Sequence, residues 1–486
     1  MSLRDSLSGL FKSKEEFDLT SGGIGKPLFY LALPIVITNL LQTAYNLADT
    51  FWLGQYSTEA LAAISFGFPL VFLLISLGFG ISIAGSVLVA QYVGAGEEAE
   101  AEYAASQTVT FAVLASVVLG AGGYFFVEDV LRLLGASPDV LPGATAYMEV
   151  ISLGIVFLFG FLVFISLMRG YGDTITPMLV MFGSVAINVA LDPFLIFGWW
   201  IFPELGVAGA AYATVFSRSL ALFVGLVIMF RGNRGVQIHL DQMRPDLDYF
   251  RRIASLGGPA SFEVTSRALS VNFLLVVVGL FATPVVAAFG IGTRVFSVVF
   301  LPAIAVAQGV ETMSGQNIGA GKPDRAEATA DFAAKGMFVI LSAMGVLVFV
   351  FTEPIVAVFT TDQAVVDEGV TFLRTVAPTF GMLGIMRAYG GSFRGAGKTM
   401  TSAALAIATL WVVRLPVAWF GAQSFGPVGI WYGFVVSNVF GAALALAWYK
   451  RGTWRDADLT DEQVAVGDEF DGDDDPELAD ATSTDD

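Results

Sequence analysis

The chain of 486 residues contains no cysteine and a single histidine, His239. Disulfides are thereby excluded, and metal centres built on thiolate or imidazole ligands have no material. Charge is scarce too, since only 14% of the residues are Asp, Glu, Lys or Arg. What fills the chain instead is apolar: 55% of residues are hydrophobic, and the mean hydropathy is +0.72. That composition excludes an ordinary soluble enzyme and points to a polytopic membrane protein. Residues 1–26 are polar and mixed in charge, without the short apolar core of a signal peptide. The first apolar segment is therefore expected to stay in the mature protein.

The charge that is present is lopsided. The formal net charge is −18, and much of it lies beyond Arg455, in RDADLTDEQVAVGDEFDGDDDPELADATSTDD. Residues 451–486 read as an acidic, disordered, solvated tail. The preference for Asp and Glu over Lys elsewhere suggests a salt-rich cytoplasm, where screening tolerates dense negative charge, and hence a halophilic source.

A helix that crosses a bilayer needs about 20 apolar residues. Twelve runs meet that length, near 27–53, 60–90, 103–127, 145–168, 175–198, 206–230, 252–281, 285–312, 330–351, 370–392, 398–421 and 427–449. With the N-terminus inside, 18 of the 25 Lys and Arg fall on the cytoplasmic side; Arg132 and Arg374 fall outside, and the rest lie within spans. The positive-inside rule then predicts a multi-pass plasma-membrane protein with both termini in the cytoplasm.

The two halves repeat at an offset of 225 residues. Pro34 maps to Pro259, QYVGAG at 91–96 to QNIGAG at 316–321, and RGYGDT at 169–174 to RGAGKT at 394–399. Extra residues around WWIFPELG shorten the offset to 220 near the end of each half. Each half holds six spans, so both begin on the same side of the membrane and are related by a pseudo-two-fold axis along its normal. Parallel repeats of this kind are typical of transporters. The predicted fold class is all-α, with two six-helix bundles: an N-terminal segment 1–26, a first lobe 27–235, a second lobe 236–450 and the tail 451–486.

Residues 187–194 read INVALDPF and sit inside an apolar span. Asn188 and Asp192 are four apart, so they share a helix face. Pro193 has no N–H, which frees the carbonyl of Val189. An amide oxygen, a carboxylate and a free carbonyl suit a small cation, and a proton can occupy the same carboxylate. In the first span, Thr38, Gln42, Tyr45 and Asp49 form another polar stripe, with Asn46 flanking it. Pro34 and Pro193 are candidate hinges. Met181 and Ser184 lie on the face of Asn188 and join Gln42, Tyr45 and Asn46 as candidate cavity residues. Polar residues in spans also fasten helices together, but an aspartate without a basic partner in its own span points to function.

At this level the sequence resembles the multidrug and toxic compound extrusion (MATE) family over nearly the whole chain up to about residue 450. The resemblance rests on the paired Q-x-x-G-A-G and R-G-x-G-x-T loops. LPIVITNLLQTAYNLADTFWLG and INVALDPFLIFG look like the DinF-like prokaryotic branch. It implies two bundles around a cleft and exchange of inward H+ or Na+ for outward amphipathic, often cationic compounds. It also implies a cation site at Asp49, Asn188, Asp192 and a threonine of GAAYAT, here Thr214. No cofactor beyond the coupling ion, and no metal beyond that possible Na+, is implied. The expected partners are small drug-like molecules and the lipid bilayer, not nucleic acid, and the expected state is a monomer.

In the second half, Leu274 and Val417 replace Asp49 and Asp192, while Glu263 and Arg267 are spaced for an intrahelical ion pair. The cation site is therefore expected in the first lobe alone, and Arg387 in the tenth span has no assigned role. Arg218, Arg294, Glu311 and Arg414 are expected to snorkel or to pair between helices. Two other functions compete. A flippase for lipid-linked sugars would want a cationic cavity, whereas the first lobe offers carboxylates. GYGD at 170–173 matches the short signature of intramembrane aspartyl proteases, but Asp173 aligns with Lys398 in a glycine loop and is expected in a turn.

Overall fold

The computed structural model describes residues 18–457, 459 and 460, and their regular structure is helical throughout. Most of the acidic tail lies outside the described residues. Among the described residues, twelve helices are long and apolar enough to cross a membrane. They are α1 Gly25–Tyr56, α2 Thr58–Ala95, α3 Glu98–Leu133, α4 Leu141–Tyr171, α5 Ile175–Phe197 and α6 Gly206–Arg231 in the first half. The second half has α7 Leu247–Val278, α8 Thr283–Gly319, α9 Pro323–Val350, α10 Gln363–Gly395, α11 Thr399–Phe425 and α12 Pro427–Lys450.

Most of these helices outrun the apolar runs that seed them, because helical hydrogen bonding does not stop where hydrocarbon would. What stops them is backbone chemistry. α2 and α4 end on Gly96 (φ 82°) and Gly172 (φ 109°), left-handed positions within the paired glycine loops. Two helices are interrupted by proline. A 3-10 turn at Ala377–Thr379 contains Pro378 in α10, and a π-helical segment at Ala408–Arg414 precedes Pro416 in α11.

The two lobes exchange their leading turns. Leu28 and Leu31 at the start of α1 belong to the second lobe's core, whereas Leu53 near its end belongs to the first lobe's. α7 does the reverse: Tyr249, Ile253 and Leu256 are buried in the first lobe, and Leu274, Val277 and Val278 in the second. Pro34 and Pro259 stand close to the crossing points. Val236 and Ile238, in the linker before α7, are likewise buried with the first lobe.

Both described chain ends lie at one end of the bundle. Asn317 Nδ2 donates to the Leu19 carbonyl at 3.1 Å, and Lys450 Nζ meets Glu327 at 2.6 Å and Asp331 at 2.8 Å. Residues 317–331 span the end of α8 and the start of α9, so one junction holds both ends.

Candidate functional site

The repeat loops seal the lobes together at that same end. Gln91 Nε2 on α2 donates to the Gly395 carbonyl at 2.9 Å, and Gln316 Nε2 on α8 donates to the Gly170 carbonyl at 3.0 Å. Both donor and acceptor are exchanged by the 225-residue offset, so this is a reciprocal contact of the kind two-fold symmetry produces. The glycines show why the loops allow no side chain. A Cβ on Gly94 would lie 2.0 Å from the Gln316 carbonyl oxygen, and one on Gly319 would lie 1.9 Å from that of Gln91.

A buried charge chain reinforces the seal. Arg169 in the first lobe stands 3.8 Å from Glu311 in the second, Glu311 accepts from Arg394 at 2.8 Å, and Arg394 reaches Glu263 at 3.5 Å. Glu263 also pairs with Arg267 at 2.8 Å, as their spacing predicts. Further along the membrane normal, Thr265 Oγ1 meets Ser76 Oγ at 2.9 Å. Among the described residues, the direct hydrogen bonds between α2 and α7 extend no farther from the sealed end.

The polar residues singled out in the first lobe gather where α1, α5 and α6 meet. Asp49, Asn188 and Asp192 are 1%, 0% and 0% exposed, so no carboxylate here faces lipid. Asn188 Nδ2 donates to Asp192 Oδ1 at 3.3 Å, the contact their i,i+4 spacing dictates. Asp49 lies within electrostatic range of Asp192. Both oxygens of Asp49, Oδ2 of Asp192 and Oδ1 of Asn188 are buried without a hydrogen-bond partner. Four unpartnered oxygens next to one another are costly unless a cation or proton joins them.

The hydroxyl of Thr214 on α6 meets that of Tyr45 on α1 at 2.5 Å, and Ser184 donates to the Ser217 carbonyl at 3.2 Å. Tyr45, Met181 and Ser184 are buried within the lobe, whereas Gln42 is partly accessible and Asn46 exposed. Gln42 Nε2 donates to Asn46 Oδ1 at 3.2 Å, and Thr38 Oγ1 bonds back to the Pro34 carbonyl at 2.9 Å. Pro193 is buried and α5 stays helical past it, ending at Gly198 (φ 68°), where a Cβ would meet the Glu204 backbone nitrogen at 2.6 Å.

Sequence reasoning missed two members of this site. Arg218, expected to snorkel or to pair, is 6% exposed and lies inside the lobe. It donates to Gln42 Oε1 at 2.8 Å and to Met181 Sδ at 2.9 Å, and its guanidinium lies 4.9 Å from the Tyr45 ring centre and 5.2 Å from that of Phe161. Asp49 is within its electrostatic range. The signal was there, because Arg218 follows Thr214 by four residues and shares its face. Tyr147 on α4, 3% exposed and within range of both aspartates, had no such signal. With Asp49, Asp192 and Arg218 all ionised, the site carries one net negative charge, which one monovalent cation cancels.

Asp173 of the GYGD motif has a different task. Its Oδ1 accepts the backbone N–H of Ile175 at 3.0 Å and of Thr176 at 2.9 Å, and its Oδ2 accepts the Thr176 hydroxyl at 2.5 Å. It holds the turn that starts α5, as the alignment with Lys398 suggested.

The MatE family profile matches residues 34–194 and 259–420, two stretches that begin at Pro34 and its repeat partner Pro259. An FAD transporter of Shewanella oneidensis is 31% identical over 432 residues, covering 88% of this chain and 94% of the relative. The probable multidrug resistance protein YoeA of Bacillus subtilis is 29% identical over 437 residues, with the same two coverages. A solved MATE-family multidrug resistance transporter in an outward-facing conformation superposes with a TM-score of 0.84 at 25% identity, covering 90% of this chain and 98% of that one. The chain belongs to the MATE family of multidrug efflux transporters in the MOP superfamily; it is a multi-pass membrane transporter, not an enzyme. The all-α, two-bundle fold expected from the repeat is the fold it has.

Proposed function

We propose that the chain is a secondary antiporter that expels amphipathic organic compounds, cationic or zwitterionic, in exchange for inward H+ or Na+. The coupling ion is held by Asp49, Asn188, Asp192 and Thr214, whose hydroxyl also meets that of Tyr45. The observation that carries this reading is the set of four unpartnered oxygens buried on two carboxyls and one amide. Cation entry removes the net charge of the site and lets α1 repack. Because α1 begins in one lobe and ends in the other, with Pro34 near the crossing, repacking there is felt by both. Pro193 serves α5 in the same way. The cargo route runs past Gln42 and Asn46, with Tyr45, Met181 and Ser184 forming the wall behind them. A flippase for lipid-linked sugars is the rival reading.

The finer assignments belong to the same proposal. The chain is of the DinF-like branch, has lobes at 27–235 and 236–450, works as a monomer in the plasma membrane with both termini cytoplasmic, and comes from a halophile. One positive charge moving down ~100 mV supplies about 2.3 kcal/mol, a gradient of between one and two decades. Dye efflux from proteoliposomes under separately imposed proton and sodium gradients tests antiport. Efflux should follow one of the two gradients, and indifference to both would refute it.

A further inference from the structure

The second lobe has the opposite electrostatic character to the first. Arg387 on α10 stands within electrostatic range of Arg267, Arg394 and Arg414, and of Glu263. Glu263 is already shared between Arg267 and Arg394, and Glu311 between Arg394 and Arg169. Five arginines thus face two glutamates. Among the described residues, Arg414 is held by neutral groups alone: Nε donates to Ser437 Oγ at 2.9 Å, Nη2 to Asn438 Oδ1 at 2.9 Å, and its guanidinium lies 4.5 Å from the Phe434 ring centre. Arg387 is partly accessible and, among the described residues, donates no hydrogen bond. Arg267 keeps 22% of its side chain exposed. Guanidinium groups stay charged, and in a membrane-spanning bundle a surplus of them is costly without a counter-charge.

The 225-residue offset places Gln42, Leu162 and Val189 opposite Arg267, Arg387 and Arg414. The arginines are therefore not a legacy of the duplicated fold. An aromatic surface stands beside them. Trp411 donates its Nε1–H to Ser266 Oγ at 2.6 Å, and its ring lies edge-on to Phe273 at 5.2 Å. Trp411 and Arg414 share the π-helical segment Ala408–Arg414. Expanded turns of this kind recur at functional sites; this one serves α7 through Trp411 and α12 through Arg414.

We propose that Arg267, Arg387 and Arg414 form a cargo subsite for the phosphate or carboxylate group of an aromatic amphipath, with Trp411 beside its ring. The planar fork of arginine matches both oxyanions in bidentate fashion. The first lobe buries the carboxylates of Asp49 and Asp192, whereas the second leaves these guanidinium groups partly accessible. Within the proposed range of amphipathic cargo, that polarity favours the members that carry an oxyanion, turned toward the second lobe, over simple cations. The inference rests on the proposed passage of cargo between the lobes, but not on ion coupling.

The test is binding to the purified full-length protein in nanodiscs. The probes are FAD, riboflavin (the same ring system without phosphate), carboxyfluorescein and ethidium, at two salt concentrations. FAD should bind at least about tenfold tighter than riboflavin and weaken as salt rises. Arg387→Gln should remove most of that preference without changing riboflavin affinity, and Arg387→Lys should restore part of it. Binding of FAD alone assigns the site to phosphates, and of carboxyfluorescein too assigns it to oxyanions in general. Equal affinity for FAD and riboflavin, ethidium as the tightest ligand, or an Arg387→Gln protein that folds and keeps the preference would overturn the proposal. Repeating the FAD measurement on Asp49→Asn separates the two readings, since that variant should lose ion-driven transport yet keep the phosphate preference.

Discussion

Replacing Gly94 by alanine should pry the sealed end of the bundle open. The added methyl would sit 2.0 Å from the Gln316 carbonyl oxygen, against an ordinary contact of 3.4–4 Å. The opposing backbone must retreat by at least about 1.4 Å, because repulsion rises steeply inside contact distance while attraction changes little. α8 carries Gln316, so the retreat stretches the Gln316–Gly170 and Gln91–Gly395 hydrogen bonds together. Each is worth about 0.5–1.5 kcal/mol net, and a buried amide left unpartnered costs more. The sealed state should therefore lose about 1–3 kcal/mol relative to an open one, a shift of roughly 5- to 150-fold in their ratio. The natural absence of cysteine makes this easy to read. A single cysteine at Ser86, which is 1% exposed just behind the seal, should react with a maleimide about tenfold or more faster when Gly94 is alanine. Gly319→Ala should match it in size, because the two contacts are mirror partners, and the double variant should gain less than the sum. Unchanged labelling, or an effect from only one of the two glycines, would refute the reciprocal latch.

Glu311→Gln leaves Arg169 and Arg394 without their shared carboxylate and should destabilise the protein by about 3–5 kcal/mol, seen as a lower melting temperature in detergent. Arg218→Gln removes the positive charge beside Asp49 and should tighten binding of the coupling cation severalfold, measured as the ion concentration that half-saturates efflux. Asp246 caps α7 by accepting the Asp248 and Tyr249 amides at 3.0 Å each, and accepts the Tyr103 hydroxyl at 2.7 Å. Partial burial pushes its carboxyl up, but those hydrogen bonds outweigh it and hold the group below its ordinary value. Its stabilising effect is therefore complete above the unfolded value, about pH 4, and fades as the pH falls through the lower folded one. Asp246→Ala should cost about 1 kcal/mol at neutral pH, and melting curves of the two proteins should converge in acid.

Much of this architecture could be read from the chain itself. Apolar run length counted the spans, and the offset between QYVGAG and QNIGAG located the axis. Spacing of four placed Asn188 beside Asp192 and Glu263 beside Arg267, because helix geometry leaves a side chain few other neighbours. Other features had no side-chain signature to follow. The acceptors of the latch are the carbonyls of Gly170 and Gly395, and a carbonyl reads the same in every residue. Nor did the swap of α1 and α7 between lobes show itself, since a helix apolar on most faces does not announce which core it joins. Arg218, expected to snorkel or to pair between helices, does pair with Gln42 on α1; its position four beyond Thr214 already turned it toward Gln42 and Tyr45, which is what places it in the site. In the second lobe, Leu274 and Val417 stand where Asp49 and Asp192 would, and the arginines fall at other positions of the repeat, so the offset gave no pointer to their clustering.

The central claim is that Asp49 and Asp192 bind the ion that drives transport. Efflux by Asp49→Asn and Asp192→Asn proteins, inserted and folded in liposomes under an imposed ion gradient, tests it most directly. The account predicts that both variants lose gradient-driven efflux while their melting temperatures stay near that of the unmodified protein. Full gradient-driven efflux in both would contradict it.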